Sequence, residues 1–115
     1  MRKISVLIVD DSAFQRVLLR NLLRDDPCIG KIRFGHDGVE GVQQTLNFSP
    51  DVVIMDCIMP RMDGITALKE IMKKKPTPVL LISSLSREEV DAAMKGGLDA
   101  GAVDFLQKPS KTAEW

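Results

Sequence analysis

The sequence predicts an α/β domain, a doubly wound parallel sheet of five strands with helices on both faces. Short apolar runs of strand length alternate with stretches of helical periodicity along the whole chain. Such alternation means parallel strands joined by crossover helices, and right-handed crossovers leave few topologies. The second observation is where the runs stop: Val6-Leu7-Ile8-Val9 gives way to Asp10-Asp11, and Val52-Val53-Ile54-Met55 to Asp56. In a sheet of this kind the carboxyl ends of the strands border the crevice where ligands bind, so two strand ends finishing in Asp suggest one shared acidic site.

The elements follow in order. Ile4 to Val9 is the first strand. Ser12 opens the first helix as a cap, with Gln15 three residues on in a capping-box pattern, and Phe14, Val17, Leu18 and Leu22 recur at helical spacing. Asp25-Asp26-Pro27 stops that helix. Ile32 to Phe34 is a short second strand. Asp37-Gly38 turns the chain into a second helix whose buried stripe is Val39, Val42 and Leu46. Pro50 precedes the third strand, and Met59-Pro60 with Asp63-Gly64 turns the chain into a third helix over Ile65 to Lys74, with Ile65, Leu68 and Met72 inward. Pro76 and Pro78 bracket the turn before the fourth strand, Val79 to Ile82. A fourth helix begins near Ser86, with Glu88 and Glu89 in its first turn, where the helix dipole favours acids. Gly96-Gly97 falls within or just after it, and two helical glycines cost about 1 kcal/mol each relative to Ala, which makes this the least stable helix. Asp104 to Gln107 is the fifth strand, ended by Lys108-Pro109. A five-strand sheet needs about two helices on each face. Lys111 to Trp115 are too few for another full helix, so one face is expected to be short of cover, the final helix missing or incomplete.

With 115 residues the chain reads as one domain, residues 1–115, expected to be a piece of a longer protein. An apolar fraction of 44% and a charged fraction of 28% are ordinary for a globular domain that needs no disulfide or metal staple. Net charge is zero, against the basic excess that a broad nucleic-acid or membrane footprint requires. No apolar stretch approaches the roughly 20 residues that span a bilayer, and Met1-Arg2-Lys3 runs straight into a strand rather than a signal peptide. Cys28 and Cys57 show no metal-ligand spacing and read as two reduced thiols of a cytoplasmic protein.

The candidate site residues gather at the strand ends: Asp10, Asp11 and Asp56, then Ser83-Ser84 after strand four and Lys108-Pro109 after strand five. Each has an ordinary alternative. Asp10-Asp11 can be a helix-capping pair, with Asp11 next to Ser12 well placed for it. Ser83 and Ser84 can be strand-end caps, Lys108 a solvated lysine and Phe105 plain core. His36, the one histidine, receives no role.

Together these positions resemble the receiver domain of two-component response regulators, a flavodoxin-like (CheY-like) fold with strand order 2-1-3-4-5. Pro78-Val79-Leu80-Leu81-Ile82-Ser83-Ser84-Leu85-Ser86 and Gly101-Ala102-Val103-Asp104-Phe105-Leu106-Gln107-Lys108-Pro109 resemble in particular the receiver of the chemotaxis protein-glutamate methylesterases (CheB), whose C-terminal domain removes methyl groups from receptor glutamates. The resemblance implies that Asp56 accepts a phosphoryl group from a histidine kinase. It implies that Mg²⁺ is bound by Asp11, Asp56 and the backbone carbonyl of Ile58, with Asp10 acting through water. Lys108 then meets a phosphoryl oxygen as a point charge, preceding a cis bond to Pro109. Ser83 is the switch hydroxyl, Ser84 fills the small-residue position beside the site, and Phe105 takes the aromatic position whose rotamer follows the switch. Ile58 and Leu85 flank the site, both apolar, and imply slow loss of the phosphoryl group. The strand-four loop, helix four and strand five form the output face.

Simple chemistry agrees with the implied roles. A carboxylate can attack phosphorus to give an acyl phosphate. Three crowded carboxylates repel one another, and a hard divalent cation relieves that. The expected partners are a histidine kinase and a C-terminal effector domain of the parent chain, with neither nucleic acid nor membrane; a homodimer is compatible with the resemblance. Two other readings share the topology. A flavin or nucleotide carrier needs a phosphate-binding loop after strand one, where Asp10-Asp11 would repel phosphate. A phosphohydrolase with an Asp nucleophile needs an acid/base carboxylate two residues on, where this chain has Ile58.

Overall fold

A computed structural model describes residues 2–84 and 87–108, with the backbone alone at 87, 88 and 90. The elements are β1 (Ile4–Val9), α1 (Ala13–Leu23), β2 (Ile29–Gly35), α2 (Gly38–Phe48), β3 (Val52–Asp56), α3 (Gly64–Lys74), β4 (Val79–Ser83), α4 (Arg87–Asp99) and β5 (Asp104–Gln107). All strand pairs are parallel, in the order β2-β1-β3-β4-β5. The expected fold and strand order are both present. Leu85, Ser86 and Pro109, expected to flank the site, open the fourth helix and follow a cis bond, lie outside the described residues, as does the chain beyond Lys108 where a final helix was in question.

The three central strands are buried on both sides, as strands covered by crossover helices must be. Leu7, Val9, Val53, Met55, Val79 and Leu81 point to one face, where they pack with Val42 of α2, Ala67, Leu68 and Ile71 of α3, and Met94 of α4. Val6, Ile8, Ile54 and Ile82 point to the other and meet Leu19 of α1. Among the described residues α1 alone lies over this second face, and Leu106 of β5 is 44% exposed there. No helix among the described residues is long and apolar enough to cross a membrane.

Several local expectations need correction. Strand β2 runs from Ile29 rather than Ile32, because the parallel ladder to β1 starts at the Ile4–Ile29 pair. The inward residue of α1 is Leu19, while Phe14, Val17 and Leu22 are exposed. Leu46 of α2 is exposed too; Val42, Gly41 and Thr45 make the buried side of that helix. The capping box is half made: Ser12 Oγ accepts from the Gln15 N–H at 3.3 Å, but the Ser12 N–H goes to Asp10 Oδ1 at 2.9 Å instead of to Gln15.

Both Gly96 and Gly97 are inside α4. They differ sharply in surroundings. A Cβ on Gly97 would fall on the Leu81 side chain, well inside van der Waals contact and close to Phe105, whereas one on Gly96 would meet only Ile65 Cδ1 at 3.7 Å. Gly97 is therefore what lets α4 approach β4. Gly96→Ala is expected to stabilise by up to about 1 kcal/mol through helix propensity, and Gly97→Ala to destabilise by about 1–2 kcal/mol through overpacking. Urea denaturation of the two variants checks this; equal effects of the same sign would contradict it.

Candidate functional site

The carboxyl ends of β1, β3 and β5 deliver one compact charged group. Asp10 follows β1 directly and is fully buried. Its backbone N–H extends the ladder to Gly35 O at 3.1 Å, and its carbonyl accepts from Arg16 Nη1 at 2.6 Å. Arg16 itself lies over the Phe34 ring, 6.0 Å from its centroid. Oδ1 of Asp10 holds the Ser12 N–H, which starts α1, and Oδ2 accepts from Lys108 Nζ at 2.8 Å. Asp10 thus orients the capping residue while it faces Lys108; the N-cap of α1 is Ser12, not the Asp10-Asp11 pair.

Asp56 is the last residue of β3 and is 4% exposed. Its Oδ2 accepts from the same Lys108 Nζ at 3.1 Å, and its Oδ1 faces the Ile58 N–H at 3.5 Å. Asp11 is exposed at the mouth of the site. Asp10, Asp11 and Asp56 offer ligand oxygens all within 4.8 Å of one another. Lys108 is set by β5, its backbone N–H donating to Ser83 O at 2.6 Å. Ser83 ends β4, buried, in register with Gln107 and one residue past the Asp56–Ile82 pair. The structure thus gathers Asp10, Asp11, Asp56 and Lys108 at one point and Ser83 on the adjacent strand end.

The electrostatics follow from the count. Three carboxylates face one ammonium. Burial first, and then the Asp10 charge, push the Asp56 carboxyl up to about 6, against the opposing pull of Lys108. Burial alone would lower the pKa of the Lys108 ammonium, but the hydrogen bond to Asp10 and the two carboxylate charges outweigh it and leave the pKa above the ordinary lysine value. A small divalent cation would balance the remaining charge, and oxygen-only donors would suit Mg²⁺, which uses one or two carboxylates and keeps its other positions for water or phosphate. Cys57 is also buried. Burial, with Asp56 and Asp63 adding to it, pushes its thiol up to about 12, so it stays protonated at neutral pH.

Phe105 is core: it is 5% exposed and packs in the same cluster as Leu81 on the α4 side of the sheet. Ile58 keeps its side chain 55% exposed beside Asp56. Two residues of the neighbourhood were missed by sequence reading. Asp37 caps α2, its Oδ1 accepting from the Glu40 N–H at 2.9 Å, and its Oδ2 takes Arg61 Nε at 2.6 Å. The Asp37-Gly38 turn signal was visible, but nothing local paired it with a residue 24 positions away.

Comparison with known proteins agrees in direction. The model of the response regulator receiver domain matches residues 6–115. A protein-glutamate methylesterase/protein-glutamine glutaminase of Geobacter metallireducens is 51% identical over 107 residues, 93% of this chain but 30% of its own length. The chain therefore spans less than a third of that relative. The response regulator domain of Thermotoga maritima CheB superposes with a TM-score of 0.89 at 45% identity, covering 96% of this chain and 82% of that one. The CheX-CheY-BeF3-Mg complex of Borrelia burgdorferi gives 0.83 at 36% identity, covering 98% and 84%.

Proposed function

The chain belongs to the response regulator receiver family, and on that premise we propose that it is the phosphorylatable switch of a cytoplasmic chemotaxis protein-glutamate methylesterase, with Asp56 as phosphoryl acceptor. What supports the acceptor assignment is Lys108 bridging Asp10 and Asp56 with Asp11 in reach, a charge-deficient carboxylate trio at a strand-end crevice.

Asp11, Asp56 and the Ile58 carbonyl would hold Mg²⁺, and Asp10 would act through water. When bound, the ion offsets the negative charge that gathers on the phosphoryl oxygens during transfer. An Asp56 carboxylate oxygen attacks phosphorus; the bond from phosphorus to the kinase histidine breaks, and the electron pair leaves with the imidazole. Lys108, already on Asp56 Oδ2, is placed to follow charge from the carboxylate to a phosphoryl oxygen. Ser83 donates its hydroxyl to the phosphoryl group, and Phe105 repacks with that movement, carrying the change to α4 and β5. The effector is the C-terminal domain that the longer relatives have room for. The carrier reading is disfavoured by three carboxylates where a phosphate would rest, and the hydrolase reading by an exposed Ile58 where the acid/base should be.

The test is beryllofluoride with Mg²⁺, followed by amide chemical shifts. Wild type is expected to shift at Ser83 and along β5, and Asp56→Asn not to. Unchanged wild-type spectra defeat the proposal; turnover of many small phosphate esters favours the hydrolase instead. Because Ile58 cannot orient an attacking water, the phosphoryl group is expected to decay slowly, and Ile58→Asn to speed its loss after donor removal. A wild-type decay that is already fast, and unmoved by Ile58→Asn, contradicts this.

A further inference from the structure

Between Asp56 and α3 the chain makes a tight loop that must present the Ile58 carbonyl and then enter a helix. Its own hydrogen bonds are few: Met62 N–H to Pro60 O at 2.8 Å, Gly64 N–H to Cys57 O at 2.8 Å and a long one from Ile58 N–H to Asp56 Oδ1 at 3.5 Å. Cys57 N–H continues the ladder to Ile82 O at 2.9 Å, and two further contacts come from the start of α2. Gly38 N–H donates to Met62 O at 3.0 Å, and Arg61 Nε donates to Asp37 Oδ2 at 2.6 Å. Arg61 holds a left-handed backbone, φ 65°, which a residue with a Cβ adopts at a cost. Something must over-determine that conformation, and the Asp37 contact is made by the residue that carries it. Asp37 is well fixed: its side chain is 8% exposed and its other oxygen caps α2, while Arg61 is 60% exposed. A surface arginine would be mobile by default; this one is anchored to a buried carboxylate.

We propose that Asp37 and Arg61 are positioning residues for the phosphorylation site: their ion pair clasps the loop after β3 to the N-terminus of α2 and so holds the Ile58 backbone where it can serve a metal ion. The proposal rests on the receiver reading and extends it to two residues that touch neither metal nor phosphoryl group. Burial tends to raise the Asp37 pKa, but the Arg61 hydrogen bond and the Glu40 N–H lower it further, so the carboxylate stays charged at neutral pH and the clasp stays closed.

The experiment is calorimetric titration with Mg²⁺ alone, together with amide hydrogen exchange of the metal-free protein. Asp37→Asn keeps the cap acceptor, since Asn caps as well as Asp, but turns an amide NH2 toward Arg61 in place of the carboxylate oxygen, so both the charge and the acceptor facing Arg61 are lost; Arg61→Ala removes the other partner. Each is expected to weaken Mg²⁺ binding about fivefold, below the about 10–100-fold cost of losing a group bonded directly to a ligand, and to speed exchange at Gly38 and Gly64. The double variant is expected to be no weaker than either single one, because one contact cannot be lost twice. Arg61→Lys, which keeps the charge, is expected to recover part of the affinity. If wild type binds Mg²⁺ and both single variants bind it equally well, the clasp is merely structural and the proposal falls, even if thermal stability drops. If wild type binds no Mg²⁺, the receiver assignment of the site falls, and this proposal with it.

Discussion

Replacing Asp56 by Asn is expected to abolish acyl phosphate formation and, at the same time, to make the metal-free fold more stable at neutral pH. The first effect is loss of the nucleophile. The second comes from burying a charge. In the folded protein the Asp56 carboxyl is pushed from 3.8 up to about 6 by burial and by Asp10. Between those values the folded state binds more proton at Asp56 than the unfolded chain does, so stability falls as pH rises through that window, and the cost is complete above it. Asn carries no such cost. Asp56→Asn should therefore gain on the order of 2 kcal/mol over wild type near neutral pH and much less near pH 4. Mg²⁺ should recover much the same free energy for wild type and little for Asp56→Asn. Urea denaturation in chelator, near pH 4.5 and near 7.5, checks the sign. A variant less stable than wild type at the higher pH would contradict it.

The second large effect belongs to Gly64. A Cβ there would land on the Asp56 carbonyl oxygen and sit 3.0 Å from Cys57 Cα. These are backbone atoms, which cannot swing aside as a side chain does. Gly64→Ala must move either α3 or the end of β3. The expected loss is about 3 kcal/mol, the upper end of ordinary overpacking, together with weakened Mg²⁺ binding, because the strand end that carries Asp56 moves. Denaturation and calorimetry on the same sample read both. A loss below about 1 kcal/mol would show that the helix and strand have slack that the packing does not suggest. Gly64 is needed for closeness rather than for an unusual backbone angle; its φ is not in the left-handed region.

What was legible in the sequence was whatever a buried strand makes obvious. Val6 to Val9 and Val52 to Met55 are uninterrupted apolar runs because both their faces are covered, and such runs announce where they stop. Asp10 and Asp56 were found by being at those stops, and Lys108 by its place before Pro109 at the end of the fifth strand. The phase of α1 was not legible. Its apolar residues are numerous enough to fit more than one helical face, and the choice of Leu19 over Phe14, Val17 and Leu22 shows only in its packing against Val6, Ile8, Ile54 and Ile82 of the sheet. The Asp37–Arg61 pair was invisible for a different reason: neither residue ends an apolar run or carries a spacing signal, and they meet only because α2 and the loop after β3 are brought together by the fold. Gly97 looked like weakness in a helix until Leu81 appeared beneath it.

The central claim is that one of three clustered carboxylates, Asp56, is the acceptor, and that it acts with a divalent ion. Peptide mapping by mass spectrometry after incubation with acetyl phosphate tests it most directly, with Mg²⁺ in one sample and chelator in the other. The expected result is a single phosphoryl group on Asp56, present with Mg²⁺ and absent with chelator. A phosphoryl group found on Asp10, Asp11 or Ser83, or one on Asp56 that forms equally well without metal, would contradict the account.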